Sequence, residues 1–131
     1  MATDDIAYVS LDEAIRLHFG LMHRLGESRV GIDRLDLIES ALARPKHASV
    51  YEDADFIRQA ASLLFGLIKN HPWSGGNKRT ATTILRRFMQ INGVEKRWSV
   101  KEQIELVLKI ESDEWLVNEI DIWLRQRVIK A

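Results

Sequence analysis

The sequence predicts an all-α fold, a compact bundle of six helices, and three observations predict it. Apolar residues recur three and four positions apart through most of the chain, the period of a half-buried helix. Two such runs open on a serine followed three residues later by a glutamate, Ser10 with Glu13 and Ser99 with Glu102. In that pattern each side chain satisfies the other residue's free backbone N–H at a helix start. No stretch alternates apolar and polar residues long enough to make a useful strand. With 131 residues, 46% of them hydrophobic, the chain is expected to form one domain, residues 1–131, around a real core.

In chain order, residues 1–9 read as a short lead-in in which Tyr8 and Val9 pack locally. The first helix follows Ser10, with Leu11, Ala14, Ile15, His18, Leu21, Met22 and Leu25 on one stripe; His18 reads as a structural histidine. Gly26 to Gly31 is a loop. Asp33 is expected to cap a second helix that buries Leu35, Ile38, Ala41 and Leu42 and stops at Pro45. Pro45 to Asp55 is polar and reads as either an extended segment or a plain helix–helix loop. The third helix, Asp53 to Asn70, is apolar over much of its surface, which places it in the middle of the bundle. The fourth runs over residues 77–92, with Ala81, Ile84, Leu85, Phe88 and Met89 inward, and Asn92-Gly93 stops it. A fifth helix follows Ser99. A sixth, capped by Ser112, carries Trp115 and Trp123, which close the bundle.

Composition excludes several classes of function. Formal net charge is zero, so nothing global calls for nucleic acid or a membrane surface. The chain has no cysteine, hence no disulfide framework and no thiol chemistry. It has no apolar run long enough to span a bilayer, and Asp4 and Asp5 with no apolar run beside them do not read as a secretion leader. A cytoplasmic location is the expectation.

The chemistry concentrates in His71-Pro72-Trp73-Ser74-Gly75-Gly76-Asn77-Lys78-Arg79-Thr80-Ala81, the loop between the two central helices. Adjacent glycines let a backbone turn tightly and approach a ligand. The helix start after them points free N–H groups and a positive dipole end outward. Lys78 and Arg79 add full charge there. That set suits an anion, most naturally a phosphate chain. Phosphoryl and nucleotidyl transfer require positioning, charge neutralisation and a base. His71 is the candidate base for a protein hydroxyl. Gly75 and Gly76 offer backbone N–H groups, and Asn77 offers a side-chain amide or a helix cap. Lys78 acts as a point charge and Arg79 as a forked donor. Pro72 and Trp73 read as structural, with Trp73 beneath the loop; Thr80 serves the helix.

These residues resemble the signature of the Fic/Doc family, His-Pro-Phe-x-Asp/Glu-Gly-Asn-Gly/Lys-Arg-Thr. Here Trp73 stands for the phenylalanine, while His71, Pro72, Gly76, Asn77, Lys78, Arg79 and Thr80 match. The wider stretch from Gly31 to Gly93 is similar to Doc-like proteins, and lysine at position 78 is similar to that branch. The resemblance implies a Fic/Doc-type bundle and a toxin that transfers the terminal phosphate of ATP, or another nucleoside triphosphate, to a hydroxyl of a translation factor. It assigns catalytic roles to His71, Asn77 and Arg79, and an extended segment near residues 45–55 that holds the target peptide by backbone pairing. It implies restraint by a small antitoxin acting in trans, because the inhibitory Glu-Gly or Glu-Asn pair of self-restrained members is absent.

One departure stands out. Gly75 occupies the place of the family's acid, which holds magnesium, and no acid occurs between His71 and Val94. Metal neutralisation of a triphosphate contributes several kcal/mol to such a transition state. Three readings follow: magnesium rides on the nucleotide alone, an acid such as Glu52, Asp53 or Asp55 reaches in, or activity is weak or lost. The alternatives to a kinase are AMP transfer, for which glycine at position 78 would be expected, and a non-catalytic helical binding module. For the last, the basic residues Lys78, Arg79, Arg86, Arg87, Lys96 and Arg97 suggest a stripe able to meet nucleic-acid phosphates, although nucleic acid is not the expected partner.

Overall fold

The computed structural model describes residues 5–130. In chain order these form α1 (Leu11–Arg24), α2 (Leu35–Glu52), α3 (Phe56–Asn70), α4 (Asn77–Ile91), β1 (Val94–Lys96), α5 (Val100–Glu111), α6 (Val117–Arg125) and β2 (Val128–Lys130). The all-α expectation holds, with six helices among the described residues. Of the acidic start read from the sequence, Asp4 lies outside them.

The bundle is built around α3. Asp55 starts it by accepting the Arg58 N–H at 3.0 Å. Leu63, Leu64, Leu67 and Ile68 are all buried, and α2, α4, α5 and α6 pack around the helix. Asp55 also receives a two-bond fork from Arg125, 2.8 Å each, tying α6 to the start of α3. That hydrogen-bonded guanidinium holds the Asp55 carboxyl below the usual carboxylate range.

Several local expectations are corrected. Pro45 does not stop α2; the helix continues to Glu52, so neither a loop nor an extended segment occupies most of 45–55. An interior proline costs a helix roughly 3 kcal/mol. Here Ile38, Ala41, Pro45 and Ala48 form a buried face against α3 that offsets it. The two helices approach closely at Gly66, where a Cβ would lie 2.4 Å from Arg44 Cδ. Arg44 lies across α3, its Nε donating to Ser62 O at 2.9 Å.

Asp33 does not cap α2. Arg34 holds that position and its side chain caps no backbone N–H, and Asp33 Oδ1 accepts from Ser74 Oγ at 2.7 Å. Ser112 ends α5 rather than starting α6; the α6 start is held by Glu119, which accepts the Leu116 N–H at 2.8 Å. Only half of the Ser10 pattern forms, because Glu13 turns to Arg87 on α4 (2.9 Å). At Ser99 both halves form. Tyr8 packs at long range, stacked on Phe88 and donating to Gln59 Oε1 at 2.9 Å.

A two-stranded antiparallel ribbon is present, with Glu95 opposite Ile129. Strands of three residues are too short to show the alternation by which strands are read from sequence. Trp98 and Trp123 pack together at its base (5.2 Å).

Candidate functional site

The loop between α3 and α4 is stapled on both sides. Asn77 accepts the Trp73 N–H (2.9 Å) and donates to Trp73 O (3.0 Å), closing the turn on itself. The first of these bonds uses the amide oxygen; the other N–H of its NH₂ group has no protein partner among the described residues. The cap position itself falls to Gly76, whose left-handed backbone (φ 67) favours glycine. On the other side residues 29–34 lie along the loop. Ile32 bridges Trp73, Ser74 N–H donates to Gly31 O (2.9 Å), and both Asp33 and Arg34 N–H groups donate to Pro72 O (3.0 Å). The extended segment beside the signature is therefore here, between α1 and α2, and not at Pro45–Asp55.

Beneath the loop lies a buried polar stack. Trp73 is 1% exposed and its ring lies on the His18 imidazole at 4.2 Å. His18 is fully buried. Its Nε2 accepts the Gly31 N–H (3.4 Å), which leaves Nδ1–H to donate to Thr80 Oγ1 (2.9 Å). Thr80 thus serves a tertiary bond rather than its own helix. Burial pushes the His18 pKa down, so the folded protein holds the neutral ring. The unfolded chain then binds a proton that the folded one refuses. Stability contributed by this site is complete above the ordinary histidine pKa and falls as pH drops toward the depressed folded value. Thermal denaturation between pH 7 and 5 is expected to show a falling midpoint. In His18→Asn, which cannot titrate, the dependence is expected to be flatter; an unchanged slope would exclude His18 as its source.

Above the loop is a cleft of about 410 Å³. It brings together every residue expected of the site: His71, Gly75, Gly76, Asn77, Lys78 and Arg79. His71 ends α3 in the left-handed region (φ 44), exposed at the mouth of the cleft. No acidic residue occupies the first turn of α4, and its first N–H groups, from Asn77 to Arg79, have no protein partner among the described residues. Arg79 makes no ion pair with a described residue, whereas Lys78 sits 3.5 Å from Glu111 at the end of α5. Lys78 and Arg79 also wall a neighbouring apolar furrow of about 210 Å³ against Ile104, Val107 and Leu108 of α5.

Sequence reasoning missed Arg29 and Glu27, which line the same cleft. No local signal marks them; the pairing of residues 31–33 with the loop carries them in. The lining then holds three cations (Arg29, Lys78, Arg79) and one carboxylate, which favours an anionic occupant. Among the described residues the six basic side chains read as one stripe divide. Lys78 and Arg79 belong to this cleft. Arg86, Arg87 and Lys96 line another, about 470 Å³, with Arg24, and Arg97 pairs with Glu95 (3.7 Å).

Gly75 is required by packing. A Cβ there would lie 2.7 Å from Arg29 O and 3.0 Å from Arg29 Cβ. The space in which an acidic side chain would begin is filled by the backbone of residue 29. Nor can the acids proposed to reach in do so. Asp55 is engaged by Arg125 and Glu52 lies beside Arg58 (3.8 Å), both at the opposite end of α3, about 22 Å away by helix rise. Asp53 is the residue that ends α2 near the same point. A magnesium held through a signature carboxylate does not fit these residues. Gly75→Ala is expected to cost about 1–3 kcal/mol by overpacking, read as a lowered urea midpoint; an unchanged midpoint would show that residue 29 yields freely.

This arrangement, a histidine-headed loop that opens a helix inside an all-α bundle, is that of the Fic/Doc family, whose model matches residues 8–89; the chain belongs to that family. It is 37% identical over 87 residues to Toxin Doc of Mycolicibacterium smegmatis, an aligned region covering 64% of this chain and 60% of that protein.

Proposed function

We propose that this protein is a Doc-like toxin that transfers the terminal phosphoryl group of a nucleoside triphosphate to a hydroxyl of a target protein, with a translation factor as the target class. The observation that carries the reading is the cleft itself: His71 at its mouth, facing an uncapped α4 start flanked by Lys78 and Arg79. His71 accepts the hydroxyl proton, the hydroxyl oxygen attacks the terminal phosphorus, and the diphosphate leaves against the helix N–H groups and cations. The apolar furrow beside Lys78 and Arg79 suits a nucleoside. Lysine at position 78 favours the Doc branch over AMP transfer. A small antitoxin, supplied in trans, is the proposed restraint.

The test is transfer of label to proteins of a cell lysate from γ-labelled and α-labelled ATP in parallel, with and without magnesium. Label from the γ position on one band supports the kinase reading. Label from the α position replaces it with AMP transfer. No label in either lane leaves the family's fold as a binding module.

A further inference from the structure

Among the described residues Arg29 is the one cation of the cleft that the signature does not contain, and it stands where the expected acid is missing. Its carbonyl oxygen and Cβ fill the space next to Gly75. Its guanidinium turns back over the loop, with Nη2 donating to Ser74 O at 3.0 Å. That bond uses one of five N–H donors, and no carboxylate lies within ion-pair distance of the guanidinium among the described residues. Glu27, the single acid of the lining among the described residues, accepts the backbone N–H of Arg29 (3.4 Å) and not its side chain. The segment is held rather than loose, because Gly31 is bonded to both Ser74 and His18.

A cation fixed at this point does two things. It repels a divalent metal from the place where the family's acid would hold one. It also presents a planar fork of donors suited to two phosphate oxygens. We infer that Arg29 binds the phosphate chain of the nucleotide in place of a carboxylate-held magnesium, so that this protein takes a nucleoside triphosphate without requiring a divalent metal. The inference rests on the nucleotide reading above and specifies how that site neutralises its ligand.

The experiment is calorimetric titration of the full chain with ATP, in EDTA and in magnesium. Wild type is compared with Arg29→Ala, Arg29→Gln and Gly75→Asp, each checked for a native melting transition. Wild type is expected to bind in EDTA within about threefold of its affinity in magnesium. Removing a charge-assisted donor is expected to weaken binding in EDTA roughly ten- to a hundredfold in Arg29→Ala, with Arg29→Gln close to it because the charge is gone. Gly75→Asp is expected to bind no better than wild type in either buffer.

Three results would overturn the inference while leaving the nucleotide reading intact: wild-type binding more than tenfold weaker in EDTA, wild-type affinity in folded Arg29→Ala, or magnesium-dependent tightening in Gly75→Asp. Wild type that binds ATP in neither buffer would overturn both.

Discussion

Replacing His71 with alanine is expected to reduce nucleotide-dependent labelling of a protein target by roughly 10²–10⁴-fold, the usual contribution of a positioned general base. Stability should stay within about 0.5 kcal/mol, because the side chain is exposed and has no hydrogen-bond partner among the described residues. The backbone at His71 is left-handed (φ 44), so His71→Asn is the better control for folding. Asparagine tolerates that conformation and cannot serve as the base. Both variants are expected to melt like wild type and to lose transfer. Transfer within tenfold of wild type in either variant would remove His71 from the chemistry. Loss of transfer with a collapsed melting point would make it a structural residue.

Trp73→Ala is expected to have the largest effect on stability, about 3–5 kcal/mol. Its indole is buried and stacks on His18, which in turn bonds Thr80 of α4 and Gly31 of the extended segment. One side chain therefore supports the loop, the first turn of α4 and the strand-like edge together. Trp73→Phe should cost much less. The Trp73 Nε1–H is buried without a partner among the described residues, and an unpaired buried donor costs about 1–3 kcal/mol. Removing it offsets part of the lost ring volume. Urea midpoints for the two variants decide the matter: equal losses would show that the unpaired N–H carries no penalty. The alanine variant should also weaken any ATP affinity, since the bridge between Ile32 and Trp73 holds the segment that carries Arg29 to the cleft.

The helices were legible because their causes are local. Ser10 and Ser99 cap the turns that follow them, and the three–four spacing of Leu63, Leu64, Leu67 and Ile68 marks α3 as the central helix. Partners chosen at long range were not legible. Glu13 is three residues from Ser10 and nevertheless bonds Arg87, which the α1–α4 contact brings near. Asp33 precedes a helix and bonds Ser74, forty-one positions away. Pro45 reads as a stop, yet burial on α3 outweighs the missing N–H.

By itself the sequence determined the all-α architecture, the placement of a histidine, two glycines and two cations at one loop and the helix start that follows it, and the family those residues resemble. Each of these follows from interactions within a few residues or from a contiguous motif. Only the tertiary structure decided why position 75 is glycine, which cations share the cleft and where the extended segment lies. The backbone of residue 29 fills the space beside Gly75 because residues 31–33 pair with the loop. That pairing depends on Trp73, His18 and Thr80 meeting across three separate elements. No local spacing in the chain encodes a contact of that kind.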